Sequence, residues 1–278
     1  MRKFKIIIKK IVRLAPFFIQ RLLRNIWAWG ILLRSESIST KEIVVKKPFP
    51  RTTVVCLIYK STGYIDFVYN SFLKYTAGAD FLFIANDASD KVKKYLKDNN
   101  LPHLIFENKD KEEYYLNRVY RAWNFGGANA PGEVVIFVNS DMAFSPGWLE
   151  SLLKNMSRER IICSRLVESG KLLSGRTAIM KNFGGTYKEF DDGAFQAYAR
   201  KIKKPELRKG GLFMPCAFYK DVFIKSGGYP EGNRKESDGS ETSGDYILFY
   251  EKFKSMGVEH FTAFDSIVYH MQEGEMDE

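Results

Sequence analysis

Residues Val134 to Asp141 read VVIFVNSD: a run of β-branched and aromatic residues with the character of a buried strand, stopped by three small polar groups. In an open α/β sheet, ligands bind at the carboxyl ends of the strands. A carboxylate delivered there, Asp141, is placed to hold a divalent cation and the phosphates that accompany it. An isolated Asp at such a place is more often the cap of the next helix. One does follow, opened by Phe144-Ser145-Pro146-Gly147-Trp148-Leu149 with Pro146 suited to its first turn. The neighbouring elements decide between the two readings.

Before the strand, the pattern alternates. Thr52 to Tyr59 (TTVVCLIY) predicts a strand and Tyr64 to Tyr75 a helix; Asp80 to Ala85 (DFLFIA) predicts a strand and Lys91 to Asn99 a helix. His103 to Phe106 is a short strand, Glu112 to Asn124 a helix, Glu133 to Val138 the quoted strand, and Gly147 to Met156 the next helix. This β-α-β-α order predicts an α/β fold with a parallel, doubly wound sheet flanked by helices. Beyond Ile161 the periodicity blurs, and mixed or antiparallel strands are expected to supply a second half of the site. Residues 35–50, ending in Pro48 and Pro50, read as a linker to one domain spanning 51–278. The polar stretch 232–244 (GNRKESDGSETSG) reads as a flexible loop.

The net charge of +10 is not spread over the 278 residues. Residues 1–50 carry 12 Lys and Arg against Glu36 and Glu42, so residues 51–278 are neutral. A basic groove for nucleic acid is therefore not expected. Cys56, Cys163 and Cys216 have no zinc-ligand spacing and suit reduced thiols in the cytoplasm. Residues 1–34 hold nine basic residues and no acid. At 100° per residue, Phe4, Ile7, Ile8, Ile11, Leu14, Ala15, Phe18, Leu22, Ile26, Trp29 and Leu33 share one face, and Arg2, Lys5, Lys9, Arg13, Arg24 and Arg34 the other. This is an amphipathic basic helix with Pro16 as its kink point. Charges interrupt it too often for a span of ~18–20 apolar residues. It fits a helix lying on an anionic membrane surface, here the inner, cytoplasmic face, one docked on its own domain or a second subunit, or a disordered segment. The oligomeric state is left open.

The strand-end residues are chemically informative in order. Neither GxGxxG nor GxxxxGK[ST] occurs. The first strand ends Ile58-Tyr59, and the second is followed by Asp87-Ala88-Ser89-Asp90. Then come Ala122-Trp123-Asn124-Phe125-Gly126, Asn139-Ser140-Asp141, Gly227-Gly228-Tyr229-Pro230-Glu231, Gly244-Asp245 and His270. Taken together, from about Thr53 to His270, this series resembles the family 2 glycosyltransferases, which are inverting enzymes of GT-A fold. Trp123 stands where that family usually has Arg, and Asn139 stands for the first Asp of its D-x-D.

The resemblance implies a GT-A-type nucleotide-binding mixed sheet, preceded by the N-terminal amphipathic basic helix. It also implies sugar transfer from a nucleotide-diphosphate donor to a glycan or lipid-linked acceptor, assisted by Mn²⁺ or Mg²⁺. Asp141, Asn139 and His270 would hold the metal. Tyr59, Asp87, Asn124, Ser140 and Asp141 would contact the donor, and Gly228 and Glu231 the acceptor. Asp245 would be the general base that takes the acceptor proton. Two other readings stand beside it. One is a nucleotidyltransferase, for which Tyr59-Lys60-Ser61-Thr62-Gly63 is a weak phosphate-loop candidate. The other is a membrane-attached carbohydrate-binding scaffold that has lost catalysis, with Asn139 and Gly244 as the lesions.

Overall fold

In a computed structural model of the chain, residues 15–41, 43, 48–172, 175, 177–272 and 274–277 are described. The first half of the basic helix, residues 1–14, lies outside them; its second half is the helix Phe17–Arg34, which starts directly after Pro16. Strand β1 (Ser37–Ser39) follows, inside the stretch that reads as a linker.

The alternating part of the chain folds as its periodicity predicts. Strands β2 (Thr52–Ile58), β3 (Ala79–Asn86), β4 (His103–Phe106) and β5 (Val134–Asn139) are separated by the helices Thr62–Tyr75, Asp90–Asp98 and Tyr115–Asn129. Two of these helices start at a local signal, while the third, after Tyr114, has no side-chain cap. Ser61 caps the first helix by accepting from Tyr64 N, and Ser89 caps the second by accepting from Val92 N. The third helix runs five residues beyond Asn124, because Phe125-Gly126-Gly127 packs it onto the sheet rather than ending it.

The remaining strands are β6 (Met142–Phe144), β7 (Arg160–Glu168), β8 (Ile179–Met180), β9 (Glu206–Lys209), β10 (Cys216–Tyr219), β11 (Arg234–Lys235), β12 (Glu241–Thr242) and β13 (Glu259–His270). One mixed sheet has the order β1-β9-β13-β7-β10-β5-β2-β3-β4, with β6 added to β13 and β8 to β7. The β5-β2-β3-β4 half is parallel, whereas β10 pairs with β5 antiparallel. The quoted strand is thus the seam between the two halves, the position at which a doubly wound sheet opens a ligand crevice.

Both faces of that seam are covered. Val134, Ile136 and Val138 pack into one core with Ile65, Val68, Phe72, Val92 and Leu96. Val135 and Phe137 pack into the opposite core with Trp123, Phe223 and Phe249. Burial on both sides explains why the strand is a continuous apolar run.

The stretch 232–244 is more ordered than its composition predicts. It forms the β11–β12 hairpin, and Arg234 reaches out of it to grip Glu251 through two bonds of 2.7 Å. A bidentate Arg–carboxylate pair supplies order that polar composition alone does not advertise. Just beyond, Gly244–Tyr246 starts a helix whose hydrogen bonding widens to the π pattern over Ile247–Lys252. Such widenings recur beside functional residues, and this one adjoins Asp245.

Candidate active site

Three strand ends bring their charged residues to one point. Asn139 closes β5, Ser140 and Asp141 turn the chain, and β6 pairs antiparallel with β13 so that Met142 lies opposite His270. The parallel register of β13 with β7 sets His270 beside Glu168. Asp141 Oδ1 consequently lies 3.4 Å from His270 Nε2, and Glu168 Oε1 3.7 Å from His270 Nδ1. Burial alone would lower the His270 pKa, but the two carboxylates outweigh it and raise it to about 10. Asp141 is held below the usual carboxylate range, because His270 and the Gly274 N–H outweigh its own burial. Such a pocket calls for a positive charge, which a proton on His270 or a bound cation can supply.

A divalent ion fits this donor set in part. Asp141 offers oxygen and His270 Nε2 offers nitrogen, while Glu168 stands behind Nδ1 as the orienting carboxylate that metal-binding histidines use. Glu168 Oε2 and His270 Nδ1 are both buried without a hydrogen bond. Among the described residues no group of three or more His, Cys, Asp or Glu converges to hold an ion. A metal held here would need further oxygens from the ligand that comes with it.

Beside this pair lies a cradle of donors. The backbone N–H groups of Tyr59, Lys60 and Ser61, where β2 passes into the next helix, converge on Glu275 Oε2 at 3.3, 2.9 and 3.3 Å. Ser140 Oγ donates to Glu275 Oε1 at 2.6 Å, and Gly274 N donates to Asp141 Oδ2 at 3.2 Å. Burial raises the Glu275 carboxyl above its usual value, against these bonds.

A second constellation surrounds Asp245. Tyr120 and Tyr229 stack with ring centroids 5.0 Å apart and planes 6° apart. Burial raises the Asp245 carboxyl to about 6, offset in part by the hydroxyls of Tyr229 and Tyr120. Asn124 holds this arrangement by donating to Tyr229 O at 2.9 Å and accepting from Tyr229 N at 2.7 Å. Both ends of its amide are thereby committed to the turn at Gly228. Glu231 is exposed and ion-paired at 3.2 Å with Arg121, which also holds Glu113.

Asp87, directly after β3, is a left-handed residue with φ of 48°. Its carboxylate accepts from Asn108 N and Nδ2 and pairs with Arg118 at 3.2 Å. The next turn returns to Tyr59, whose carbonyl accepts from Ser89 N. Tyr59 itself is half exposed at the rim. Asp141 and His270 thus meet at one point and Asn124, Gly228 and Asp245 at another, whereas Asp87 and Glu231 are held in ion pairs with Arg118 and Arg121 and Asp90 is exposed. Glu168, Arg118, Arg121, Tyr120 and Glu275 were not foreseen. Glu168 carries no local mark, since only strand register aligns it with His270. The acidic residues flanking Gly274 in QEGEMDE were the one available hint of Glu275.

A family model described as glycosyl transferase family 2 matches residues 53–218. Among solved structures, GalNAc-T7 with UDP, GalNAc and Mn²⁺ is similar at 16% identity, over 81% of this chain and 44% of that one, with a TM-score of 0.55. The mannosyltransferase PcManGT from Pyrobaculum calidifontis, in complex with GDP-Man and Mn²⁺, is similar at 14% identity, over 89% of this chain and 64% of that one, with a TM-score of 0.53. S. aureus TarS 1–349 is similar at 12% identity, over 79% and 60%, with a TM-score of 0.50. The chain spans less than two thirds of each of these structures. No curated protein sequence gives a significant match. At such identities the likeness is one of fold: the mixed sheet flanked by helices is the GT-A architecture expected from the sequence.

Proposed function

The chain belongs to glycosyl transferase family 2, whose model covers more than half of it, and on that premise we propose that it is an inverting glycosyltransferase. It moves a sugar from a nucleotide-diphosphate donor to a glycan or lipid-linked acceptor. Asp245 takes the proton of the acceptor hydroxyl as that oxygen attacks the anomeric carbon. The bond to the diphosphate breaks as the new one forms. With no enzyme nucleophile between, the configuration inverts. Asp141 and His270, with Asn139 at the strand end, would hold Mn²⁺ or Mg²⁺, whose positive charge offsets that left on the departing diphosphate. Tyr59 and Asp87 border the nucleotide side, and Gly228 and Glu231 the acceptor side. Asn124, whose amide is spent on Tyr229, acts here by positioning the tyrosine beside Asp245.

The observation that carries this reading is the pairing of Asp141 with His270, 3.4 Å apart, at the seam of the sheet beside a cradle of N–H donors. Release of nucleoside diphosphate from UDP- and GDP-sugars tests it. Turnover is expected with Mn²⁺ or Mg²⁺ and is expected to stop in excess chelator. Full activity in chelator would remove the metal from the proposal, and inertness toward every nucleotide sugar would refute the activity.

Residues 1–34 are proposed to rest on an anionic membrane. Phe18, Leu22, Ile26, Trp29 and Leu33, the predicted apolar stripe, are 57–70% exposed. No described helix is long and apolar enough to cross a membrane. The exposure of these five side chains supports peripheral attachment, which we place at the inner face, close to lipid-linked acceptors.

A further inference from the structure

The donor cradle is filled by the chain itself. After β13 the backbone folds back across the carboxyl edge of the sheet, where Met271 N donates to Asp141 O at 3.1 Å. Gln272, at φ of 63°, accepts through Oε1 from the N–H groups of Gly170 and Leu172, both at 3.1 Å. Gly274 then passes so close to the site that a Cβ there would sit 2.4 Å from Asp141 Cβ and 2.8 Å from the Tyr64 ring. Only glycine fits this crossing. It sets Glu275 into three backbone N–H groups and the Ser140 hydroxyl.

Successive N–H groups aimed at one point form an anion-binding concavity, and its natural occupants are phosphate oxygens. A carboxylate with two acceptor oxygens imitates such a group. Gly274 simultaneously takes up Asp141 Oδ2, an oxygen that a donor-bound cation would use. One short segment thus engages both halves of the edge.

We propose that the segment following β13 is an autoinhibitory plug in which the Glu275 carboxylate occupies the subsite for a phosphate of the nucleotide donor. The proposal rests on the reading of this edge as the donor site. Donor and plug compete, so apparent donor affinity is lowered by the fraction of molecules in which the plug is open.

The test is calorimetric binding of UDP, GDP and pyrophosphate to the full chain in Mn²⁺, comparing wild type with Glu275→Ala and Glu275→Gln. The Ala variant is expected to bind roughly tenfold tighter, as for a plug open in about a tenth of molecules. The Gln variant is expected to gain less, because its amide oxygen can still accept from the N–H groups. In wild type, bound UDP should speed amide hydrogen exchange at Gly274 and Glu275 as they are displaced. Wild-type binding that is unchanged or weakened in Glu275→Ala, or exchange at Gly274 and Glu275 slowed by UDP, would overturn the plug and leave the glycosyltransferase reading standing. If none of the three proteins binds any of the three ligands, both readings fall.

Discussion

Burial raises the Asp245 carboxyl to about 6, and two expectations of opposite sign follow. As a base, Asp245 must be ionised, so kcat/KM should fall as pH drops through about 6 and hold level above it. Asp245→Asn should lower transfer by roughly 10²–10⁴-fold and abolish that pH limb, while nucleotide binding stays within a few-fold. Stability runs the other way. An acid whose folded pKa lies above its unfolded value stabilises the protein fully below the unfolded pKa, and this contribution is lost as pH rises through the folded one. The ionised carboxylate is therefore a burden at neutral pH. Asp245→Asn should melt higher than wild type at pH 8, with the difference shrinking toward pH 4. Differential scanning fluorimetry across that range checks it. A variant that keeps turnover would remove Asp245 from the role of base, and one that melts lower at pH 8 would overturn its raised pKa.

At the scale of elements, the turn Gly227–Tyr229 couples the helix Tyr115–Asn129 to the site. Gly228 has φ of 59°, and a Cβ on it would come within 2.3 Å of Asn124 Oδ1. Gly228→Ala should accordingly destabilise by about 1–3 kcal/mol, from backbone strain and the clash together. Asn124→Ala removes two hydrogen bonds and should cost a similar amount. The double variant should cost less than the sum, because removing Asn124 removes the clash. Chemical denaturation of the three proteins measures the coupling, and strict additivity would mean the two residues act apart. This turn also shows what sequence could and could not reveal. Its glycines, like the strand ends at Tyr59, Asp87 and Asp141, are marked locally, because a strand terminus or a positive φ constrains residue type at the position itself. Glu168 and Glu275 owe their places to the β7–β13 register and to a backbone reversal after β13. Glu168 leaves no pattern in neighbouring residues, and Glu275 only the acidic run around Gly274. The 232–244 stretch misled for a related reason: part of its order comes from Glu251, a partner outside it.

At the scale of the whole molecule, charge and apolar surface are segregated in the same direction. The excess positive charge lies in residues 1–50, ahead of a neutral domain. The helix Phe17–Arg34 has no buried residue, and its end is tied to the sheet where Arg208 donates to the carbonyls of Leu32 and Ser35. Such a helix gives an aqueous monomer nothing for its apolar stripe to cover, yet folding leaves the stripe outward. A lipid interface would account for both the stripe and the basic charge. Burying a large apolar side chain contributes about 1.5–3 kcal/mol, and each basic residue near an anionic surface about 1 kcal/mol. Serine at Phe18, Ile26 and Trp29 together should therefore weaken vesicle binding by at least about 100-fold, allowing for incomplete burial. Cosedimentation of the full chain with phosphatidylserine-containing vesicles tests this. Wild type should pellet with anionic vesicles, release partly in high salt because the basic contribution is screened, and bind neutral vesicles weakly. The triple variant should stay in solution with either. If it pellets as wild type does, the stripe is not the membrane contact, and the exposed face of this helix awaits a protein partner instead.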